Sequence, residues 1–205
     1  MEKVLLLRSS DSSRFSPMES DLESKRGMSL MAVGALVLSV FALDQLTKFV
    51  ASRDLAPLGS VEVFPSFFSL TFVKNKGAAF GMFAGLPSPW REVSLGVVSI
   101  IALGFVLHML ITESRNKVLP RLALSLILGG ACGNLLDRVR FGSVVDFLDF
   151  YLGDLHWPAF NVADSSICIG VILLLWSMSR ANREKSPELS GTSESAKSYQ
   201  RTANL

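Results

Sequence analysis

Between residues 93 and 112 the chain carries no Asp, Glu, Lys or Arg, which leaves it few places to fold. A helix rises about 1.5 Å per residue, so about 20 apolar residues cross the roughly 30 Å hydrocarbon core of a bilayer. Three other stretches qualify or nearly so, from residue 28 to about 50, from 122 to 136, and from about 163 to 179. The third span, 122–136, is too short alone and must borrow its flank, where Asn134, Asp137 and Arg138 stand. Composition agrees with this reading, since 49% of the residues are hydrophobic and only 19% charged, with a mean hydropathy of +0.40. A net charge of +2, without a basic block interleaved with aromatics, excludes nucleic acid as the natural partner. Cys132 and Cys168 both lie in apolar runs, so the chain is not a disulfide scaffold. The expected fold class is an all-α polytopic membrane protein with four transmembrane helices.

Residues 1–27 contain an apolar core only from Val4 to Leu7, far shorter than a signal peptide requires. They read as a disordered cytoplasmic extension, and the Ser-, Glu- and Lys-rich residues 181–205 as a disordered cytoplasmic tail. The membrane domain then occupies residues 28–180. Lys25 and Arg26, then Arg115, Lys117 and Arg121, then Arg180, Arg183 and Lys185 fall on one face of a four-span topology, which puts both termini in the cytoplasm. Arg53, Lys74, Lys76 and Arg91 in the first outer segment argue the other way. Segments of about 51–92 and 137–162 face outward. In the first, Phe68, Leu70 and Phe72 alternate with Ser69, Thr71 and Val73, a period of two that predicts a strand with residues 61–64 as its partner. A small extracytoplasmic β-sheet on the outer membrane surface follows. Pro87, Ser88, Pro89 and Trp90 mark a turn with an interfacial aromatic ahead of the second span.

Ionisable residues within spans are costly and therefore functional candidates. From Arg26 to Asp44, Arg121 to Asp137 and Asp164 to Arg180 the separations are 18, 16 and 16 residues, or about 27, 24 and 24 Å along a helix. Three separate spans thus bring a carboxylate to one depth, near the outer edge of the hydrocarbon. Asn134, Asp137 and Arg138 stand at i, i+3 and i+4 and share a helical face, whose bland reading is an interfacial anchor. Gly129 and Gly133 read as a close-packing pair of helices. Asn161 and Asp164 have the spacing of a helix cap. Asp146 is the more unusual acid, set among Val144, Val145 and Phe147, where desolvation raises a carboxyl pKa. Two carboxylates in a partly dry site can share a proton, one activating water while the other polarises a carbonyl.

The stretches 44–48 (DQLTK), 75–81 (NKGAAFG), 133–138 (GNLLDR) leading through Gly142 to 144–147 (VVDF), and 157–164 (WPAFNVAD) resemble, in order and spacing, the bacterial lipoprotein signal peptidases, or signal peptidase II. The resemblance covers about residues 28–180. It implies a membrane-embedded aspartic endopeptidase of the bacterial inner membrane. Such an enzyme cleaves diacylglyceryl-modified prolipoproteins on the amino side of the lipidated cysteine, with membrane lipids as its other partners and no metal or organic cofactor. The family's catalytic pair falls on Asp146 and Asp164, and its supporting positions on Asp44, Lys48, Asn75, Gly77, Asn134, Asp137, Arg138 and Asn161. The chain is expected to act as a monomer. Two other chemistries compete. A Ser/Lys hydrolase would use Ser165 or Ser166 with Lys48, and a small proton-coupled transporter or assembly subunit would also place acids in its spans, although normally near the midplane. A metal site would need Cys132, Cys168, His108 and His156 to meet, and their expected depths differ.

Overall fold

The computed structural model describes residues 27–77, 87–112 and 117–181. The expected extensions therefore lie almost wholly outside the described residues. So do the 78–81 part of the second motif and the basic residues Lys25, Arg26, Arg115, Arg183 and Lys185.

Four helices carry the chain: α1 (Leu30–Asp54), α2 (Ser88–Thr112), α3 (Val118–Phe141) and α4 (Val162–Ala181). All four are long and apolar enough to span a bilayer. Outward-facing Leu38, Phe49, Phe105, Ile172 and Trp176 are exposed, the inside-out pattern of helices solvated by lipid. The third span does extend through its polar flank, as its length required, and α3 runs on past Asn134, Asp137 and Arg138.

α3 is the central helix. Half of its most apolar window is buried, against 11% for α1 and α2 and 17% for α4. Small residues make that possible. A Cβ on Gly129 would lie 2.8 Å from Val40 Cβ and 2.9 Å from the Val37 carbonyl oxygen of α1. One on Gly130 would lie 2.5 Å from the Ala163 carbonyl oxygen of α4. Reciprocally, a Cβ on Gly170 of α4 would lie 2.6 Å from the Ala123 carbonyl oxygen of α3. The backbones of three helices thus approach to the limit that glycine allows.

α3 stops at Gly142, whose left-handed φ of 64° and N–H to the Arg138 carbonyl at 2.9 Å form its C-cap. The chain turns at once into the sheet, built of β1 (Ser60–Phe64), β2 (Phe68–Asn75), β3 (Val144–Leu152) and β4 (Leu155–His156) in that spatial order, all antiparallel. The expected β1–β2 hairpin forms, with Ser60 opposite Thr71 and Phe64 opposite Phe68. β3 was not anticipated. Its first four residues are buried irrespective of side, so the apolar–polar alternation that betrays a half-exposed strand is missing there. The register sets Asp146 against Val73 and Val144 against Asn75. A cluster of Ala51, Leu55 and Phe147, with Leu70, Phe72, Leu148 and Val162 around it, fastens this sheet to the end of α1 and the start of α4.

Candidate active site

Asp44 and Lys48 stand one turn apart on α1. The Lys48 ammonium lies 2.9 Å from Asp44 Oδ2 and 3.0 Å from Asp137 Oδ2 of α3, and donates to Asn134 Oδ1 at 2.8 Å. Asp44 is 0% exposed, Asp137 1% and Lys48 3%. Two carboxylates on one cation leave excess negative charge in a dry place, which is tolerable only if the remaining lone pairs are satisfied. They are. The Ala163 amide, an otherwise orphan N–H in the first turn of α4, donates to Asp44 Oδ1 at 2.9 Å. The Val145 amide donates to Asp137 Oδ2 at 3.2 Å. The Gln45 amide nitrogen reaches Asp44 Oδ2 at 3.2 Å, Asp137 Oδ1 at 3.1 Å and the Gly133 carbonyl at 3.3 Å. This knot ties α1, α3, β3 and α4 together at one end of the bundle.

Asn134 links the knot to two further carboxylates. Its Oδ1 takes the Lys48 bond and also accepts from Asn161 Nδ2 at 3.3 Å, while its Nδ2 donates to Asp164 Oδ1 at 2.8 Å. Asn161 Nδ2 donates to Asp146 Oδ1 at 2.6 Å and to the Val145 carbonyl at 3.2 Å. The Asn161 and Asp164 residues are also reciprocally bonded, the Asp164 amide to Asn161 Oδ1 at 3.0 Å and the Asn161 amide to Asp164 Oδ2 at 3.3 Å. That is a capping box on α4, so the capping expectation holds. The same two side chains nevertheless face Asp146 and Asn134. Capping fixes the direction of Asp164, and the second use of Asn161 fixes its distance from Asp146.

Asp146 is 2% exposed, whereas Asp164 is half-buried. Burial raises the Asp146 carboxyl from 3.8 to about 6, the Asp164 charge adds to the rise, and bonds from Asn75 and Asn161 and the Lys48 charge oppose it. Asn75 Nδ2 donates to Asp146 Oδ2 at 2.9 Å, and its own Oδ1 accepts the Gly77 amide at 3.0 Å. Arg138, one turn beyond Asn134, donates to the Asn134 carbonyl at 3.3 Å and lies within electrostatic reach of Asp164, Asp146 and Asp137. The arrangement sets one buried carboxyl with a raised pKa beside one in contact with solvent, a pairing suited to shared-proton activation of water. Among the described residues, no group of three or more His, Cys, Asp and Glu side chains could hold a metal ion. Between Asp44 and Asp137, where a cation would sit, the Lys48 ammonium stands.

All ten candidate positions of the sequence fall in this one network. Gln45 was overlooked as a participant, although it lies inside the 44–48 motif. The Ala163 and Val145 amides leave no trace in a sequence. Gly133 was read as helix packing, but what faces it is a functional group, since a Cβ there would collide with Asp44 Oδ2.

An apolar four-helix bundle with a largely buried network of four carboxyl groups, a lysine and two asparagines at one end, under a small sheet, defines a multi-pass membrane protein with an enzyme-like site. A solved structure described as a bacterial membrane enzyme, obtained by the in meso method at 2.3 Å resolution, superposes with a TM-score of 0.68 at 32% identity, over 78% of this chain and 95% of that one. The family model for signal peptidase (SPase) II matches residues 36–180. The lipoprotein signal peptidase of Syntrophus aciditrophicus is 45% identical over 147 residues, covering 72% of this chain and 91% of that protein. The one from Geobacter sulfurreducens is 44% identical over 153 residues, covering 75% and 94%. The chain belongs to the signal peptidase II family.

Proposed function

We propose that the protein is an aspartic endopeptidase. It removes the signal peptide from diacylglyceryl-modified prolipoproteins on the amino side of the lipidated cysteine, with Asp146 and Asp164 as its catalytic pair. Family membership supports cleavage of lipoprotein signal peptides. The single observation that carries the aspartic chemistry is the Asn161 bridge, which bonds to both carboxylates while burial raises the pKa of one of them to about 6.

In this reading Asp164, in contact with solvent, takes a proton from a water whose oxygen attacks the scissile carbonyl carbon. Asp146, protonated, donates a hydrogen bond to the carbonyl oxygen as negative charge develops there. Collapse of the tetrahedral intermediate breaks the C–N bond. The proton taken up by Asp164 passes to the departing amine, and the products are a signal-peptide carboxylate and a free amino group on the lipidated cysteine. Asn75, Gly77 and Arg138 border the pair and offer polar groups to an extended substrate, whose scissile bond must leave helical geometry to be attacked. Lys48, Asp44, Asp137 and Asn134 hold the pair in place.

The orientation consistent with the basic residues puts the termini in the cytoplasm and the site near the extracytoplasmic face of the inner membrane. The sheet then rests on the outer surface, where exposed Phe64, Phe67 and Trp157 suit an interface. The Ser/Lys alternative loses ground, because Ser165 and Ser166 donate to the Asn161 and Ala163 carbonyls while Lys48 is held by two carboxylates.

The test is cleavage of lipidated and unlipidated precursor by reconstituted protein. The lipidated form alone should be cut, and Asp146→Asn and Asp164→Asn should each reduce turnover by at least about 100-fold, the scale of general acid–base catalysis, in protein that remains folded. Wild-type turnover in either variant would remove that residue from the mechanism.

A further inference from the structure

A groove of about 490 Å³ starts at the opposite end of the bundle from the carboxylates and runs between α1, the last turns of α2 and α3, reaching Phe41 and Cys132, within a turn of Asp44 and beside Gly133. Its lining among the described residues is mostly aliphatic or aromatic, including Val33, Val37, Phe41, Leu107 and Leu128, with Gly34 and Cys132 as small members and Arg121 as the charged one. The size falls within the ~300–1,000 Å³ range of small-ligand sites. Its rim residues Leu30, Leu38 and Ile111 are exposed, so it opens sideways, to the hydrocarbon in a bilayer-spanning protein. A core of Val33, Leu110 and Leu124 forms its floor.

Arg121 is the anomaly. It is 7% exposed. It donates through one terminal nitrogen to the Met28 carbonyl, and its Nε has no partner. Among the described residues no carboxylate is within ion-pair reach of it, and the acidic cluster lies about 24 Å away along α3. A guanidinium that finds no counter-anion among the described residues is suited to an external one, and a bidentate oxyanion is the partner its geometry fits. Lys117, exposed one turn earlier on the same helix, adds a second positive charge at this end of the bundle. A signal peptide, with its positively charged leading segment, would be repelled there.

We propose that this groove is a binding site for an anionic phospholipid, one acyl chain lying along α1 and α3 and the headgroup phosphate on Arg121. The lipid completes the bundle where α1 and α2 do not close on each other and neutralises the buried guanidinium. The phosphate end of the site, at Arg121, lies about 24 Å along α3 from Asp137, so headgroup binding there is separable from peptide cleavage.

The test uses full-length protein stripped of lipid in detergent, titrated with phosphatidylglycerol, phosphatidylcholine or inorganic phosphate, with thermal midpoint and native mass spectrometry as readouts. Wild-type protein should retain one phosphatidylglycerol and gain thermal stability from it, but not from phosphatidylcholine or free phosphate. Arg121→Gln, which keeps a donor for the Met28 carbonyl, should lower phosphatidylglycerol affinity by at least about tenfold, and Arg121→Lys should restore part of it. Gly34→Leu gives an independent arm, because a Cβ at Gly34 meets nothing within 4 Å and the larger side chain fills the groove with Arg121 intact. It should also abolish retention. Equal stabilisation by the two lipids, or wild-type retention in both Arg121→Gln and Gly34→Leu, overturns the proposal. So does binding seen only after residues 1–26 are deleted, which would make the chain's own leading segment the occupant.

Discussion

At Asp146 two influences push against two others. Burial and the Asp164 charge disfavour ionisation, while the Asn75 and Asn161 amides and Lys48 favour it, and the carboxyl settles at about 6. A pair that works with one proton loses activity as that proton leaves, so the alkaline limb of the rate profile reports this carboxyl. Substrate, by excluding water, carries the limb higher still. Asn75→Ala removes a bond to the charged form, so the Asp146 pKa rises. The alkaline limb of kcat/KM for the free enzyme should then move upward by about one pH unit, along with any fall in rate. A rate fall with an unmoved limb would limit Asn75 to holding substrate. Lys48 is a sharper case. Lys48→Met leaves Asp44 and Asp137 buried as neighbouring like charges, and losing one partner of a buried pair costs about 3–5 kcal/mol. Denaturant titration in micelles should show a loss of that order. An unchanged transition midpoint would mean that water or a counter-ion replaces the ammonium. Depth made Asp44, Asp137 and Asp164 legible as a group, because acids at matched depth in three spans are too costly to keep unless they meet in one polar site, whereas Lys48, Asn134 and Asn161 joined them only through the resemblance of their motifs. What identity could not reveal was that Asn161 serves both the cap and Asp146.

Among the elements, α3 sets the spacing of everything else. Its glycines face different neighbours, and their substitution should separate packing from chemistry. Gly129→Ala meets Val40 and the Val37 carbonyl, so α1 must move outward at a cost of about 1–3 kcal/mol for overpacking, with the site largely retained. Gly133→Ala meets the Asp44 carboxylate instead, and Asp44 in turn holds Lys48 and the Ala163 amide. Cleavage should therefore fall further in Gly133→Ala than in Gly129→Ala, whereas Gly34→Ala, with open space around it, should leave cleavage unchanged. Parallel turnover and thermal-shift measurements on the three variants decide this, and equal loss at 129 and 133 would make Gly133 a packing residue only. Elements were readable where solvent sorts side chains. The four spans followed from length and apolarity, and the β1–β2 hairpin from alternation over 68–73. β3 escaped because its opening residues, Val144 to Phe147, are enclosed on both faces, with α1 and α3 packed against the strand, which erases the alternation.

For the whole molecule, the polar network crowds one end of the bundle and the basic residues Lys117, Arg121 and Arg180 the other, which is the asymmetry that orients a membrane protein. Two turns test the direction. Leu58, exposed between α1 and β1, lies on the sheet side. The free thiols Cys132 and Cys168 lie within α3 and α4, in hydrocarbon, where a charged reagent has no access. A membrane-impermeant maleimide applied to intact spheroplasts should accordingly leave the wild-type chain unlabelled and label Leu58→Cys. A cysteine at exposed Lys117 should label only after the membrane is opened. The reverse pattern would put the carboxylate pair on the cytoplasmic side, away from exported precursors, and the peptidase reading would then require substrate to reach it before translocation.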